Sequence, residues 1–200
     1  KFGFGKKSGV DLSYELKGDL PSKSALATEI YKATVSYGYG MRANFMQIIA
    51  AYNVFNNDGV YVTPKIADKI FAEGMEQKIY PDEIKQVISE TTAAKMKMIL
   101  RKVVEKGTGT AAKINGLDVG GKTGTAHIAK DGVYAKSFNS SFFGFANDAT
   151  TKYTIGVLVV EPKKAHFASA TAVPVYKAIV LKMESDGLLK NPEAQTAVLP

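Results

Sequence analysis

The chain has 200 residues, 46% hydrophobic and 22% charged, which is enough apolar material for one folded domain and excludes a disordered composition. Its net charge is +7, but the cations are nearly all scattered lysines, with Arg42 and Arg101 the only arginines, so nucleic acid is not an expected partner. Absence of cysteine excludes disulfides and thiolate chemistry, and His127 and His166 lack the spacing of a metal site, so no metal and no cofactor are expected.

Residues 1–40 are rich in Gly, Ser, Lys and Tyr and read as loops and short extended pieces. Over 44–57, Phe45, Ile48, Ile49, Tyr52 and Phe55 recur at helical spacing, and Asn57-Asp58-Gly59 ends the run. VYVTP (60–64) is a short strand or extended exit, because Pro64 cannot donate to a central ladder. A second helix is expected over 91–106, with Met96, Ile99, Leu100, Val103 and Val104 as its apolar stripe, Met96 and Met98 filling the core, and Gly107 as a left-handed cap.

From Gly120 the hydrophobic period switches to two. Three strands are expected, over 120–129, 138–147 and 152–161, joined by turns at Lys130-Asp131-Gly132 and Asn147-Asp148. YTIGVLVVE is apolar on both faces and reads as the central strand; the short connections imply antiparallel neighbours. A last helix is expected over 171–186, with Pro174 in its first turn, Gly187 at its end, and Val173, Tyr176, Ile179, Val180 and Met183 against the sheet. The final NPEAQTAVLP has no usable pattern, and there are no internal repeats or bilayer-spanning apolar runs.

The stretch GLDVGGKTGTA (116–126) fits two incompatible motifs. Gly116-x-x-x-x-Gly121-Lys122-Thr123 matches a nucleotide-phosphate loop, and Lys122-Thr123-Gly124 matches the K-T-G triplet of penicillin-recognising acyl-transfer enzymes. A phosphate loop needs a buried strand before it and a helix beginning at Lys-Thr. Here a Gly-Thr loop precedes, and an alternating segment follows. VLVVE (157–161) imitates the second strand of such an NTPase, but Pro162 and the lack of a β–α alternation weigh against that reading. An extended segment instead suits K-T-G. Thr123 and Thr125 then project to one side and Lys122 to the other, and Gly124 lets a peptide-like substrate approach the backbone. The two hydroxyls suit a carboxylate, Lys122 supplies positive potential and a path for a proton, and an amide near Thr125 suits an oxyanion.

Beyond the triplet, FGFGKKSGVDL, YGYGMRANFMQIIAAYNVFNNDGVYVTP, VVEKGTGTAAKINGLDVGGKTGTA, SFFGFAND and VLVVEPKK resemble, in order, the C-terminal half of the transpeptidase domain of class B penicillin-binding proteins, especially the septal, cell-division type. The resemblance covers nearly all of residues 1–187 and leaves 188–200 as a tail. It implies an α+β fold, an antiparallel sheet flanked by helices, with the site between the sheet and a helical subdomain. It assigns Lys122, Thr123, Gly124 and Thr125 to the third active-site motif: Lys122 in a polar network, Thr123 and Thr125 holding a substrate or β-lactam carboxylate, and the Thr125 amide as an oxyanion donor.

The implied activity is peptidoglycan D,D-transpeptidation, with stem peptides and β-lactams as ligands, membrane proteins of the division machinery as partners, and a place on the periplasmic face of the bacterial inner membrane through an N-terminal anchor absent from this sequence. The departures matter. No Ser has Lys three residues on, so the family's nucleophile motif is missing. Ser137-Phe-Asn139 has the form of the second motif but follows K-T-G and is read as chance. His127 stands where glutamine is usual and is expected on the strand surface; Ala168-Ser-Ala170 replaces a glycine-rich stretch and is expected to reshape the loop edging the site. Lys1 opening into FGFGKKSG reads as the interior of a longer protein, and these 200 residues alone are expected to be inert. A β-lactam-hydrolysing or β-lactam-sensing relative, and a non-catalytic interaction module, remain as alternatives.

Overall fold

The computed structural model describes residues 1–130 and 133–193. Four helices occur among these residues: α1 (Glu29–Ser36), α2 (Phe45–Asn56), α3 (Glu90–Lys106) and α4 (Ala172–Ser185). Seven strands accompany them: β1 (Val60–Val62), β2 (Lys69–Ala72), β3 (Met75–Lys78), β4 (Ile84–Gln86), β5 (Asp118–Lys130), β6 (Val133–Asn147) and β7 (Lys152–Val160). β5, β6 and β7 form an antiparallel sheet in that order, while β1 pairs with β4 and β2 with β3 in two small ribbons. The α+β architecture with an antiparallel sheet between helices is therefore present.

The sheet separates two packing layers. Directly opposed residues share a face, so Val119, Phe142, Ala146, Ile155 and Val157 lie together against α4. Val173, Tyr176 and Val180 of α4 are fully buried there, each contributing roughly 1.5–3 kcal/mol by leaving water. The Phe142 and Tyr176 rings meet edge-on at 4.6 Å, and the Tyr176 hydroxyl donates to the Phe145 carbonyl at 2.7 Å. Burial raises the Tyr176 phenol well above its ordinary pKa, so it stays a neutral donor. On the other face α2 covers Phe143, and Phe45 and Tyr52 stack on that ring at 5.3 and 5.7 Å.

α2 begins with a reciprocal cap: the Asn44 side chain accepts from the Gln47 amide, and the Gln47 side chain accepts from the Asn44 amide. Its deepest residues are Gln47, Ala50, Ala51, Val54 and Asn56, while the larger side chains that mark its period are half-buried. Ser89 caps α3, which lies along β5.

Several expectations change. YTIGVLVVE is apolar on both faces because α2 and α4 cover its two sides, yet β6 is the middle strand among the described residues and β7 pairs on one edge. Gly107 is not left-handed: it is extended (φ −109°), and glycine is needed because a Cβ would press on the Val103 backbone. Gly187, by contrast, has φ 74° and ends α4 as expected. Ile99 and Met98 are exposed rather than core residues, and Ile179 is partly exposed at the far edge of α4. α1 lies within the segment expected to be loop. The turn at Asp131-Gly132 and residues 194–200 lie outside the described residues. Leu189 is buried in the α4 core, and the Asn191 side chain donates to the Asn115 carbonyl at 2.9 Å.

Candidate active site

GGKTGTA lies entirely within β5, so no helix starts at Lys122-Thr123 and the phosphate-loop reading is overturned. Among the described residues β5 is an edge strand, paired with β6 on one side only. In an antiparallel strand, the N–H and C=O of alternate residues point to the same side. The His127 amide donates outward to the Tyr39 hydroxyl at 3.3 Å, and the Thr123 carbonyl accepts outward from Lys122 Nζ at 2.8 Å. Thr125, lying between them in that alternation, directs its own amide and carbonyl to the open edge.

Lys122 and Thr123 leave the strand on opposite faces, yet their polar ends meet. The Lys122 stem wraps round the open edge, and its ammonium donates to the Thr123 carbonyl and, at 3.2 Å, to Thr123 Oγ1. Thr123 Oγ1 is also 2.6 Å from Thr108 Oγ1. When Thr108 is the donor of that pair, the Thr123 hydroxyl accepts from it and from the ammonium and keeps its own proton for an anionic ligand. Thr125 is arranged similarly: its Oγ1 accepts from the Ala168 amide at 3.3 Å. Together these give one ammonium, two hydroxyls and an edge amide along two residues of strand, a span of roughly 7 Å.

Three neighbours hold this arrangement. Gly107-Thr108-Gly109 turns tightly off α3, with the Gly107 and Gly109 amides both donating to the Val103 carbonyl at 3.0 and 3.1 Å. The 3-10 turn Ala168–Ala170 presses against β5, and the Ser140 hydroxyl donates to the His166 carbonyl just before it. The alanine-serine stretch thus lies beside Thr125. The third neighbour is the base of β5. There Asp118 forms a two-point bond with Arg101 at 2.5 and 2.7 Å, and Asn147 and Asn56 exchange side-chain bonds at 2.8 and 3.1 Å. Burial alone would raise the Asp118 carboxyl, but the Arg101 bond and charge, with Lys97 and Asn147, hold it below the ordinary carboxylate range.

All four motif residues, Lys122 to Thr125, therefore meet at one edge. Gly124 faces the Ser141 hydroxyl with no side chain of its own. His127 is exposed on the strand surface, as expected. Asn139 sits in β6 opposite Ala126, on the other face from Thr123 and Thr125, and Ser137 lies in the irregular stretch of β6 next to it. Thr108 and Tyr39 were not identified from sequence as site residues; the signals were the Gly-Thr repeat after α3 and the Tyr-Gly-Tyr-Gly run.

The model of the penicillin binding protein transpeptidase domain matches residues 1–181. Stage V sporulation protein D of Bacillus subtilis is 36% identical over 179 residues, covering 87% of this chain and 28% of that protein. Peptidoglycan D,D-transpeptidase FtsI of Buchnera aphidicola is 30% identical over 198 residues, covering 94% of this chain and 33% of that protein. Among solved structures, penicillin binding protein 3 of Mycobacterium tuberculosis complexed with ampicillin superposes with a TM-score of 0.82 at 27% identity, covering 96% of this chain and 45% of that one. The chain thus spans about a third or less of these curated relatives and under half of the solved neighbour. On a family match that runs through nearly its whole length and a fold that agrees with it, the chain belongs to the penicillin-binding protein transpeptidase domain family.

Proposed function

We propose that residues 1–187 form the C-terminal part of a transpeptidase domain that cross-links peptidoglycan stem peptides by serine acyl transfer. The observation that carries this reading is the convergence of Lys122 Nζ, Thr123 Oγ1 and Thr108 Oγ1 at the open edge of β5. The free edge suits an extended peptide that pairs as an added strand. Thr123 and Thr125 hold its terminal carboxylate, and the outward Thr125 amide donates to the oxygen of the scissile carbonyl.

The nucleophile is a serine of the longer protein, since no S-x-x-K occurs in these 200 residues. Its Oγ bonds to the penultimate D-Ala carbonyl carbon as the peptide C–N bond breaks, and D-Ala departs after its nitrogen takes a proton. An amine of a neighbouring stem peptide then attacks the ester, and the serine regains its proton. Lys122 supplies positive charge to the hydroxyl network through which protons move. A β-lactam acylates the same serine; the mycobacterial neighbour bound to ampicillin supports that choice of ligand.

The name peptidoglycan D,D-transpeptidase supports a role in wall synthesis; on the family resemblance we place that role in division, at the periplasmic face of the bacterial inner membrane, with membrane proteins of the division machinery as partners. No helix among the described residues is long and apolar enough to cross a membrane. The test is fluorescent-penicillin labelling of the full-length protein followed by mass mapping of the modified residue. The adduct is expected on a serine outside residues 1–200, and residues 1–200 alone are expected to stay unlabelled. An adduct within them overturns the assignment of the nucleophile.

A further inference from the structure

The open edge of β5 is closed at one point. The His127 amide, two residues after Thr125 and outward like it, already donates to the Tyr39 hydroxyl. Tyr39 is set there deliberately by its loop. Gly38 and Gly40, at φ 100° and 76°, turn the chain on both sides of it; the Gly38 and Tyr39 amides donate to the Val35 and Thr34 carbonyls, and the Tyr31 hydroxyl donates to the Gly40 carbonyl at 3.1 Å. The Tyr39 ring meets Tyr134 of β6 edge-on at 5.1 Å, so the loop is fastened to the strand pair from above. Beyond it, His127, Phe138 and His166 stack in series at 4.3 and 4.8 Å.

We infer that Tyr39 is a specificity-determining cap that limits strand pairing by the acyl donor to Thr125. This rests on the acyl-transfer reading above. A donor with its carboxylate at Thr123 and Thr125 runs antiparallel to β5, so its upstream residues head toward His127. Its acyl residue exchanges both backbone bonds with Thr125. The next outward position on β5 is His127, and its partner is the carbonyl two residues upstream of the acyl residue. The Tyr39 hydroxyl takes that bond first. The donor's backbone is therefore read over one residue, and what lies upstream meets aromatic surface instead of a ladder.

The test uses the full-length protein and two thioester donors, acetyl-D-alanyl-thioglycolate and acetyl-glycyl-D-alanyl-thioglycolate. Only the second carries the upstream carbonyl. In the wild type, kcat/KM for the two is expected to agree within about twofold. In Tyr39→Phe, which keeps the ring and removes the acceptor, the longer donor is expected to gain about fivefold over the shorter, the worth of one recovered hydrogen bond. Tyr39→Leu serves as a second variant with the same expected direction. An unchanged ratio in both variants overturns the cap, as does an equal loss for both donors, which would make the hydroxyl a general part of the site. If the wild-type protein turns over neither donor and Lys122→Ala leaves penicillin acylation unaltered, the acyl-transfer reading itself falls and the cap with it. A changed ratio alongside slow acylation in Lys122→Ala supports both.

Discussion

The Thr108 and Thr123 hydroxyls lie 2.6 Å apart, joining the turn after α3 to the edge strand that carries the K-T-G motif. Fifteen residues separate them in sequence. The contact ties the Gly-Thr turn to the candidate site: Thr108 and Lys122 both reach the Thr123 hydroxyl oxygen.

Removing that partner leaves Thr123 freer to rotate. Thr108→Ala in the full-length protein is expected to lower the second-order rate constant for penicillin acylation by about three- to tenfold, the worth of one hydrogen bond. Thr108→Ser, which keeps the hydroxyl, is expected to stay within about twofold of wild type. Stopped-flow acylation of the three proteins checks this, and equal loss in the Ala and Ser variants would point to packing instead.

Glycines of the sheet separate into two kinds. A Cβ at Gly144 would strike the backbone of Gly120 and Gly121, whereas one at Gly124 meets the Ser141 hydroxyl, the end of a side chain that can rotate. Gly144→Ala is expected to destabilise the fold by about 3 kcal/mol, the upper end of what overpacking costs, because the neighbour is fixed backbone. Gly124→Ala is expected to shift the thermal midpoint only slightly while slowing acylation, because its cost falls on the approach of substrate. Thermal unfolding and acylation measured side by side separate the two.

At the base of β5, Asp118 holds Arg101 while Asn147 and Asn56 satisfy one another in a nearly dry setting. Asn147→Ala leaves Asn56 Oδ1 without its donor, while Asn56 Nδ2 keeps Thr154 Oγ1 at 3.3 Å, and is expected to cost about 1–3 kcal/mol. Asp118 also makes stability depend on pH. Its folded-state pKa lies below the unfolded value of about 3.9, so its contribution is complete above that pH and is lost as pH falls through the folded value. Its side chain is about a third exposed, so solvent screens the ion pair and the effect is modest. Thermal scans between pH 6 and 3 are expected to decline at the acid end, with a shallower decline in Asp118→Asn.

The parts of this molecule that were legible in the sequence are those where local pattern and tertiary packing agree. The helix at α2, the long strands and the chain's course through Gly124 follow from period and from glycine placement. α4 reads well because Val173, Tyr176 and Val180 face the sheet, whereas Ile179 sits one edge further round the same helix. Strand order was not legible: two-sided apolarity in β7 reports cover by α2 and α4, and it says nothing about how many edges are paired. The cluster at the site was legible only within the motif. Thr108 reaches Thr123 through a turn, and Tyr39 reaches His127 across 88 residues; neither contact leaves a periodic trace.

In the proposed function Lys122, bent round the edge of β5 to Thr123, works on the acyl-transfer step. The direct measurement is the acylation rate of full-length Lys122→Ala with a fluorescent penicillin, beside wild type and with matched thermal midpoints. Loss of a positioned charge in such a site predicts a rate more than an order of magnitude lower. An unchanged rate in a folded Lys122→Ala protein would contradict the account.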